Sequence, residues 1–255
     1  MLFVNTRPQD RAFPLTEAMQ GRGVDVLEVP LLELIESPWS FGLQVLYAQL
    51  NLARVIVVVS PTAVDIGMKY LQQSGVQLKD LAHITWVAVG DKTAEILKKY
   101  QISSVVPEVE TSEGMLNLPI LKMLTSGDRV AFWRGEGGRQ FMMETLIEQG
   151  ITVLNFVLYI RQCPECAKQN ILKIIDQLNN AVNYKMLITS EASWLNWLDL
   201  IEHHSEILNK ADFWVLGDRL YDILLQAQKQ NKLEYKITKL SNLKIENLLQ
   251  YIGVT

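Results

Sequence analysis

The chain writes one strand–turn–helix corner twice. VAVGDKTAEIL runs from Val87 to Leu97 and WVLGDRLYDIL from Trp214 to Leu224, 127 residues apart in a chain of 255. Each reads as a short apolar strand, a Gly-Asp-basic turn and the first turns of a helix, and the interval is half the chain. The repeat continues in order along the sequence. At the same shift RGVDVLEVPLL (22–32) falls on QGITVLNFVLY (149–159), and Arg7 falls on Arg134, each directly after a short apolar run. At a shift of 130, VVVSPTAVDIGMKYL (57–71) falls on LITSEASWLNWLDLI (187–201), and at 129 Ser112 falls on Ser241. Ordered matches whose offset drifts by only three residues predict an internal duplication, so each half encodes an equivalent set of elements.

Within each copy the pattern alternates. Val55–Val59, Thr85–Val89, Arg129–Trp133, Lys185–Thr189 and Phe213–Leu216 have the length and apolar continuity of strands buried on both faces. Amphipathic segments lie between such runs: Ala63–Gln73, Lys92–Tyr100, Glu136–Gln149 and Arg219–Gln230. Strand then helix, repeated, predicts parallel sheets covered by helices on both faces. The duplication makes that two similar α/β domains. LLELIESPWS (31–40) and LYIRQCPEC (158–166) stand at equivalent places in the two copies. Each is an extended apolar stretch with a Pro near its end, and Pro holds its predecessor extended. The expectation is a double connection between the domains, stiffer than a single loop.

A net charge of −4 supplies no global basic field for nucleic acid. The longest apolar runs, such as VIVVV (55–59), are strand-sized and far too short for a bilayer. The start, MLFVNTRPQD, has no signal-peptide pattern, so a reducing cytoplasmic setting is expected. The two cysteines lie in CPEC (163–166). A closed zinc site needs four ligands, no second pair exists, and His83, His203 and His204 are not at ligand spacing. Cys163 and Cys166 read as thiols near a turn set by Pro164, with redox use the lesser alternative.

Open parallel α/β sheets bind ligands beyond the carboxyl ends of their strands. Each turn there leads into a helix N-terminus, with unpaired N–H groups and a partial positive charge. In copy one the turns are NTRP (5–8), VSPTAV (59–64), VGDKTA (89–94) and TSEG (111–114). In copy two they are WRGEGGR (133–139), TSEAS (189–193), LGDRL (216–220) and LSN (240–242). Small residues admit a ligand to the backbone, and hydroxyls cap the helix or donate to an anion. The candidates for ligand contact are Arg7; Ser60, Pro61 and Thr62; Gly90, Lys92 and Thr93; Ser112; Arg134, Gly135 and Gly137; Ser190 and Glu191; and Gly217, Asp218 and Arg219. If the two domains face each other, these turns line a cleft suited to a ligand with many anionic groups. Ser60, Ser112 and Ser190 read equally as plain N-caps, and Arg7 and Arg134 as solvated strand-end charges. The glycines of RGEGGR cost backbone entropy, which favours ligand contact at that loop.

Several reaction types lack their apparatus. GEGGRQ departs from Gly-x-Gly-x-x-Gly at Gln140, and the chain has no Walker loop or Gly-x-Ser-x-Gly elbow. No histidine lies in a candidate turn, so a Ser-His-Asp triad is not expected. This leaves a pure binding protein, or an enzyme whose substrate reacts readily once held. Tyr159, at the end of TVLNFVLY, is the polar aromatic that stands out, either as a proton donor at the cleft or as a half-buried packing residue.

Taken together these residues resemble the uroporphyrinogen-III synthase family. The resemblance rests on TRP (6–8), VVSPTAV (58–64), VAVGDKTAEIL (87–97), TSEGML (111–116), RGEGGRQFMMETLIEQGITV (134–153), LYIR (158–161) and ITSEASWLNWL (188–198). RGEGGR followed by a Gly-led strand ending in Tyr-x-Arg is the most specific part. The resemblance implies an enzyme that closes hydroxymethylbilane, a linear tetrapyrrole with eight carboxylates, into uroporphyrinogen III. Ring D is inverted, water is lost, and neither metal nor cofactor takes part. It implies a cytoplasmic, monomeric lyase of porphyrin and heme biosynthesis, in transient contact with a neighbouring pathway enzyme and with no nucleic-acid or membrane partner. It implies two α/β domains joined by a two-stranded ladder, 1–33 with 166–255 and 34–165, with connectors at 31–38 and 158–165. Carboxylates would be held largely by main-chain amides, the functional tyrosine falls on Tyr159, and the second-domain serine falls on Ser190. One departure is Leu220, where relatives often carry a Thr that touches ligand, as in GDKT of copy one. The competing expectation is a non-catalytic two-domain binding or sensing protein for a polyanionic small molecule.

Overall fold

Val55–Val58 is apolar at four successive positions, and all of them are buried. A strand without a polar face needs cover on both sides. The computed structural model, which describes residues 1–137 and 139–252, meets that need with layered α/β architecture. In chain order the strands are β1 (Leu2–Asn5), β2 (Asp25–Glu28), β3 (Glu33–Glu36), β4 (Val55–Val58), β5 (Thr85–Ala88), β6 (Ser104–Val105), β7 (Arg129–Gly135), β8 (Thr152–Gln162), β9 (Tyr184–Ile188), β10 (Ala211–Leu216) and β11 (Lys236–Leu240). They form a five-stranded sheet, β11-β10-β9-β1-β2, and a six-stranded sheet, β3-β8-β7-β4-β5-β6. The chain divides into two compact units: Met1–Glu33 with the segment from Arg161 onward, and Leu34–Ile160.

The repeat extends to the pairing register. Leu2 lies opposite Asp25 and Arg129 opposite Thr152, so both partners have moved by 127. Val55 lies opposite Val130 and Thr85, while Lys185 lies opposite Phe3 and Asp212. Those shifts, 130 and 127, are the ones predicted from the sequence. Each sheet therefore combines a strand pair from one copy with strands from the other: β1–β2 with three strands of the second copy, and β7–β8 with four of the first. The six-stranded sheet departs from the all-parallel expectation at one edge, where β3 runs against β8. Ser37 N–H donates to Leu158 O at 2.9 Å and Gln162 Nε2 to Glu33 Oε1 at 2.8 Å.

Helix positions follow the amphipathic segments closely: Pro61–Ser74, Asp91–Lys99 and Asp218–Asn231. Two expected boundaries move. The helix expected from Glu136 begins at Gln140, because β7 continues to Gly135 and Gly137 turns the chain at φ +79°. The second connector is also shorter than expected, since β8 ends at Gln162 and a helix starts at Glu165, just after Pro164. Cys163 is buried and Cys166 exposed, and burial pushes the Cys163 thiol up, which disfavours its reactive thiolate. Among the described residues no three His, Cys, Asp or Glu side chains are grouped to hold a metal ion, and no helix is long and apolar enough to cross a membrane.

Alternate strand residues feed opposite layers. In the second unit Ile56, Val58, Ala131 and Trp133 join one core cluster, and Val55, Val57, Val130 and Phe132 join the other. In the first, Val4, Met186, Ile188 and Phe213 face one side, and Phe3, Leu187 and Trp214 the other. Trp133 lies directly over the helix at Gly67, where a Cβ would stand 2.1 Å from its ring.

Asp128 ties the start of β7 to its surroundings. It accepts from Thr125 N at 2.8 Å and from Arg54 Nη1 at 2.9 Å. The Thr125 backbone N–H, with help from Arg54, holds its carboxyl below the ordinary 3.8. A depressed folded-state pKa stabilises the protein above the unfolded value and ceases to do so as pH falls through the folded value. Asp128→Asn should therefore destabilise at neutral pH by at most about 1 kcal/mol, since the group is at the surface. The difference from the parent should shrink toward zero on acidification below 3.8. Urea unfolding of both proteins across a pH series checks this, and a difference independent of pH would remove the carboxylate's role.

Candidate active site

The predicted turns all follow carboxyl ends of parallel strands. In the first unit β9 leads through Ser190 into the helix Glu191–Leu200, and β10 leads through Gly217 into the helix Asp218–Asn231. Ser190 is an N-cap: its Oγ accepts from Ser193 N at 3.1 Å and lies 2.8 Å from Ser193 Oγ. Gly217 has φ +81°, a conformation that favours glycine. The two turns line one depression of about 310 Å³ that gathers Ser190, Glu191, Gly217, Asp218 and Arg219. Its charges are paired across the rim, Arg219 with Glu191 at 2.6 Å and Asp218 with Lys239. Lys239 holds the exposed Asp218 carboxyl below its ordinary value.

Arg7, after β1, is half-buried rather than a solvated strand-end charge. Its Nη2 donates to Leu243 O at 2.8 Å, and burial pulls its pKa down. The Leu220 side chain is 7 % exposed and belongs to the core. Its counterpart in copy one, Thr93, is 2 % exposed. The position points inward in both copies, so Leu is accommodated by packing, while the turn's backbone stays at the helix start.

In the second unit Tyr159, Ser60 and Gly135 come together from three strands. Ser60 caps the helix Pro61–Ser74, with its Oγ accepting from Ala63 N at 3.1 Å, and Pro61 and Thr62 form the first helical turn. The Ser60 Oγ also lies 3.0 Å from the Tyr159 hydroxyl oxygen. Gly135 stands opposite Tyr159 at a bulge between β7 and β8, and Glu136 N–H donates to Tyr159 O at 2.8 Å. The tyrosine ring lies against Gly135 so closely that a Cβ there would be 2.2 Å from Cε2. Tyr159 is 1 % exposed, deeper than a residue at the mouth of a cleft.

Arg134 is also deeper than expected. It is 4 % exposed, with Nη1 3.3 Å from Asn155 Oδ1 and 3.7 Å from Met143 Sδ, and so is not a solvated strand-end charge. Gly90 and Ser112 meet through residues that the sequence did not single out. Arg139, at φ 62°, places Nη1 3.4 Å from Ser112 Oγ and Nη2 3.2 Å from Glu110 O. Glu110 in turn sets its carboxylate where a side chain on residue 90 would go, at the start of the helix Asp91–Lys99. Burial lowers the Arg139 pKa, opposed by Glu113 and Glu110. Ser112 is not an N-cap. Thr111 holds that position and accepts from Gly114 N at 3.1 Å. Lys92 is exposed in the first turn after Gly90, and Gly137 in the loop after β7.

The family model for uroporphyrinogen-III synthase HemD matches residues 14–239. The chain belongs to the uroporphyrinogen-III synthase family. A uroporphyrinogen-III synthase of Proteus mirabilis is 28% identical over 155 residues, covering 60% of this chain and 76% of that protein. Among solved structures, a mutant uroporphyrinogen III synthase of Thermus thermophilus superposes with a TM-score of 0.64 at 16% identity, covering 99% of this chain and 97% of its own. Uroporphyrinogen-III synthetase of Helicobacter pylori gives 0.59 at 15% identity, with 99% of each chain covered. At such identities the structures show the shared two-domain α/β fold, and the family match supplies the activity. The enzyme reading thus prevails over the binding-protein alternative.

Proposed function

We propose that this chain closes hydroxymethylbilane to uroporphyrinogen III, a cyclising lyase reaction with inversion of ring D and loss of water, and that the turns described above serve it. The match of the family model over residues 14–239 carries the reaction. The residue roles rest on geometry. The substrate's carboxylates need donors, and the protein's net charge is −4. At physiological salt exposed charges are screened over roughly 8 Å, so local groups decide binding. Helix N-termini behind Ser60, Gly90, Ser190 and Gly217 each contribute about 0.3–1 kcal/mol toward an anion. Charge-assisted bonds to main-chain N–H groups and to Arg219 or Lys92 add to that.

Tyr159 supplies the proton with which the hydroxyl of the ring A hydroxymethyl group departs as water, leaving an electrophilic azafulvene. Attack by the substituted carbon of ring D on the ring A methylene gives a spiro intermediate that fragments and recloses with ring D inverted. Proton donation of this kind gives about 10²–10⁴-fold. Holding ring A against ring D supplies much of the remainder, because unassisted closure yields the non-inverted isomer. Direct hand-over of the bilane by the enzyme that makes it fits the same scheme.

A coupled assay tests the reaction. Hydroxymethylbilane is generated in situ, the protein is added, and the products are oxidised and their isomers separated by chromatography. Predominantly type III isomer is expected. Type I alone, from a folded and monodisperse sample, would leave a binder of some other polyanion.

A further inference from the structure

We propose that the proton reaches the departing hydroxyl through Ser60, with Tyr159 as the reservoir behind it; this rests on the reading of Tyr159 as the proton source. Tyr159 is 1 % exposed, whereas Ser60 is half-buried at the start of the helix Pro61–Ser74. Their oxygens are 3.0 Å apart. A serine hydroxyl offers one donor and two acceptor positions. One acceptor position of Ser60 is taken by Ala63 N–H at 3.1 Å. With Tyr159 donating into the other, the serine's own proton is left to point away from both, toward a bound ligand. Two donated bonds and the positive end of a 14-residue helix withdraw charge from the Ser60 oxygen, which eases loss of that proton. The ring of Tyr159 is seated on Gly135, which fixes the reservoir relative to Ser60.

The step balances. The carbon–oxygen bond of the ring A hydroxymethyl group breaks and its electron pair leaves with the oxygen. Ser60 Oγ–H supplies the proton that completes water, and Tyr159 Oη–H replaces it, leaving a tyrosinate. The pyrrole nitrogen of ring A shares its pair with the electron-poor carbon. When the closing carbon–carbon bond has formed, ring D gives up the proton of its free carbon and regains aromaticity. That proton returns through Ser60 to Tyr159. The substrate has lost one hydroxyl and one hydrogen, and no oxidant or reductant is involved.

Tyr159→Phe, Ser60→Ala, Ser60→Thr and the Tyr159→Phe/Ser60→Ala double variant are compared for kcat and KM on hydroxymethylbilane generated in situ, with thermal melts as the folding control. In the relay, Ser60→Ala lowers kcat by about 10²-fold or more, as Tyr159→Phe does, with KM little changed. The double variant is no slower than the slower single one, because both act on one path. Ser60→Thr keeps hydroxyl and cap and recovers most of the turnover. Unchanged kcat in Ser60→Ala beside a slow Tyr159→Phe overturns the relay and makes Tyr159 the direct donor. A rise in KM alone makes Ser60 a carboxylate ligand and overturns it too, as do losses that multiply in the double variant. Wild-type turnover in Tyr159→Phe removes the underlying reading of the tyrosine, whatever Ser60→Ala does. If Ser60→Ala does not fold, Ser60→Asp replaces it, keeping a capping acceptor with no proton to give at neutral pH. A folded, slow Ser60→Asp supports the relay, and a folded, fast one overturns it.

Discussion

Replacing Tyr159 with Phe should leave a folded protein whose kcat falls about 10²–10⁴-fold while KM hardly moves. The substitution removes one oxygen from a residue that is 1 % exposed and keeps the ring that packs on Gly135. The cost to stability is the bond to Ser60 at 3.0 Å, about 1 kcal/mol. Loss of a proton donor acts on the step that expels hydroxide and not on the contacts that hold the carboxylates, so the change belongs in kcat. The isomer ratio provides a second readout. Bilane that the slowed enzyme fails to convert closes unaided, so the type I fraction should rise with the loss of turnover. Steady-state kinetics, isomer analysis and a thermal melt on one preparation separate these effects. Unchanged turnover in a folded variant would remove Tyr159 from the chemistry.

The repeat carried most of the architecture because register in a parallel sheet follows from where equivalent residues fall. Leu2 opposite Asp25 and Arg129 opposite Thr152 are one pairing written twice. The helix-entry turns were legible for the same reason, as small residues after an apolar run have few places to go. Legibility ended where a choice depends on contacts distant in sequence. Thr111 and Ser112 are adjacent hydroxyl residues, and only backbone geometry decides that Thr111 caps the helix. Arg134 follows Trp133 at a strand end, and the partner that receives its guanidinium, Asn155, lies on β8. Arg139 joins Ser112 and Glu110 across two loops, with no local pattern to announce it. Its basic character within RGEGGR was the available signal. The pairing of Ser60 with Tyr159 spans 99 residues and arises from strand order.

Gly135→Ala should be the most damaging substitution of a small residue around Tyr159. The added Cβ would stand 2.2 Å from Cε2, 2.4 Å from Cζ and 2.7 Å from Cδ2 of the Tyr159 ring. Carbon atoms in contact sit about 3.5 Å apart or more, so the ring must move by over an ångström. It has little room, being part of the same buried cluster as Phe156, Leu158 and Trp133. Overpacking of this sort costs about 1–3 kcal/mol. The functional loss is larger in proportion, because the hydroxyl leaves its position against Ser60, and a 1 Å misplacement can cost about 10²-fold in rate. The two effects separate by measurement. Denaturant unfolding reports the strain, and kcat at a temperature where the variant is fully folded reports the displaced hydroxyl. Adding Gly135→Ala to Tyr159→Phe should then destabilise without slowing the reaction further, since the misplaced oxygen is already absent. A double variant slower than Tyr159→Phe alone would mean that Gly135 meets the substrate directly, and that the loop after β7 belongs to binding more than to positioning the tyrosine.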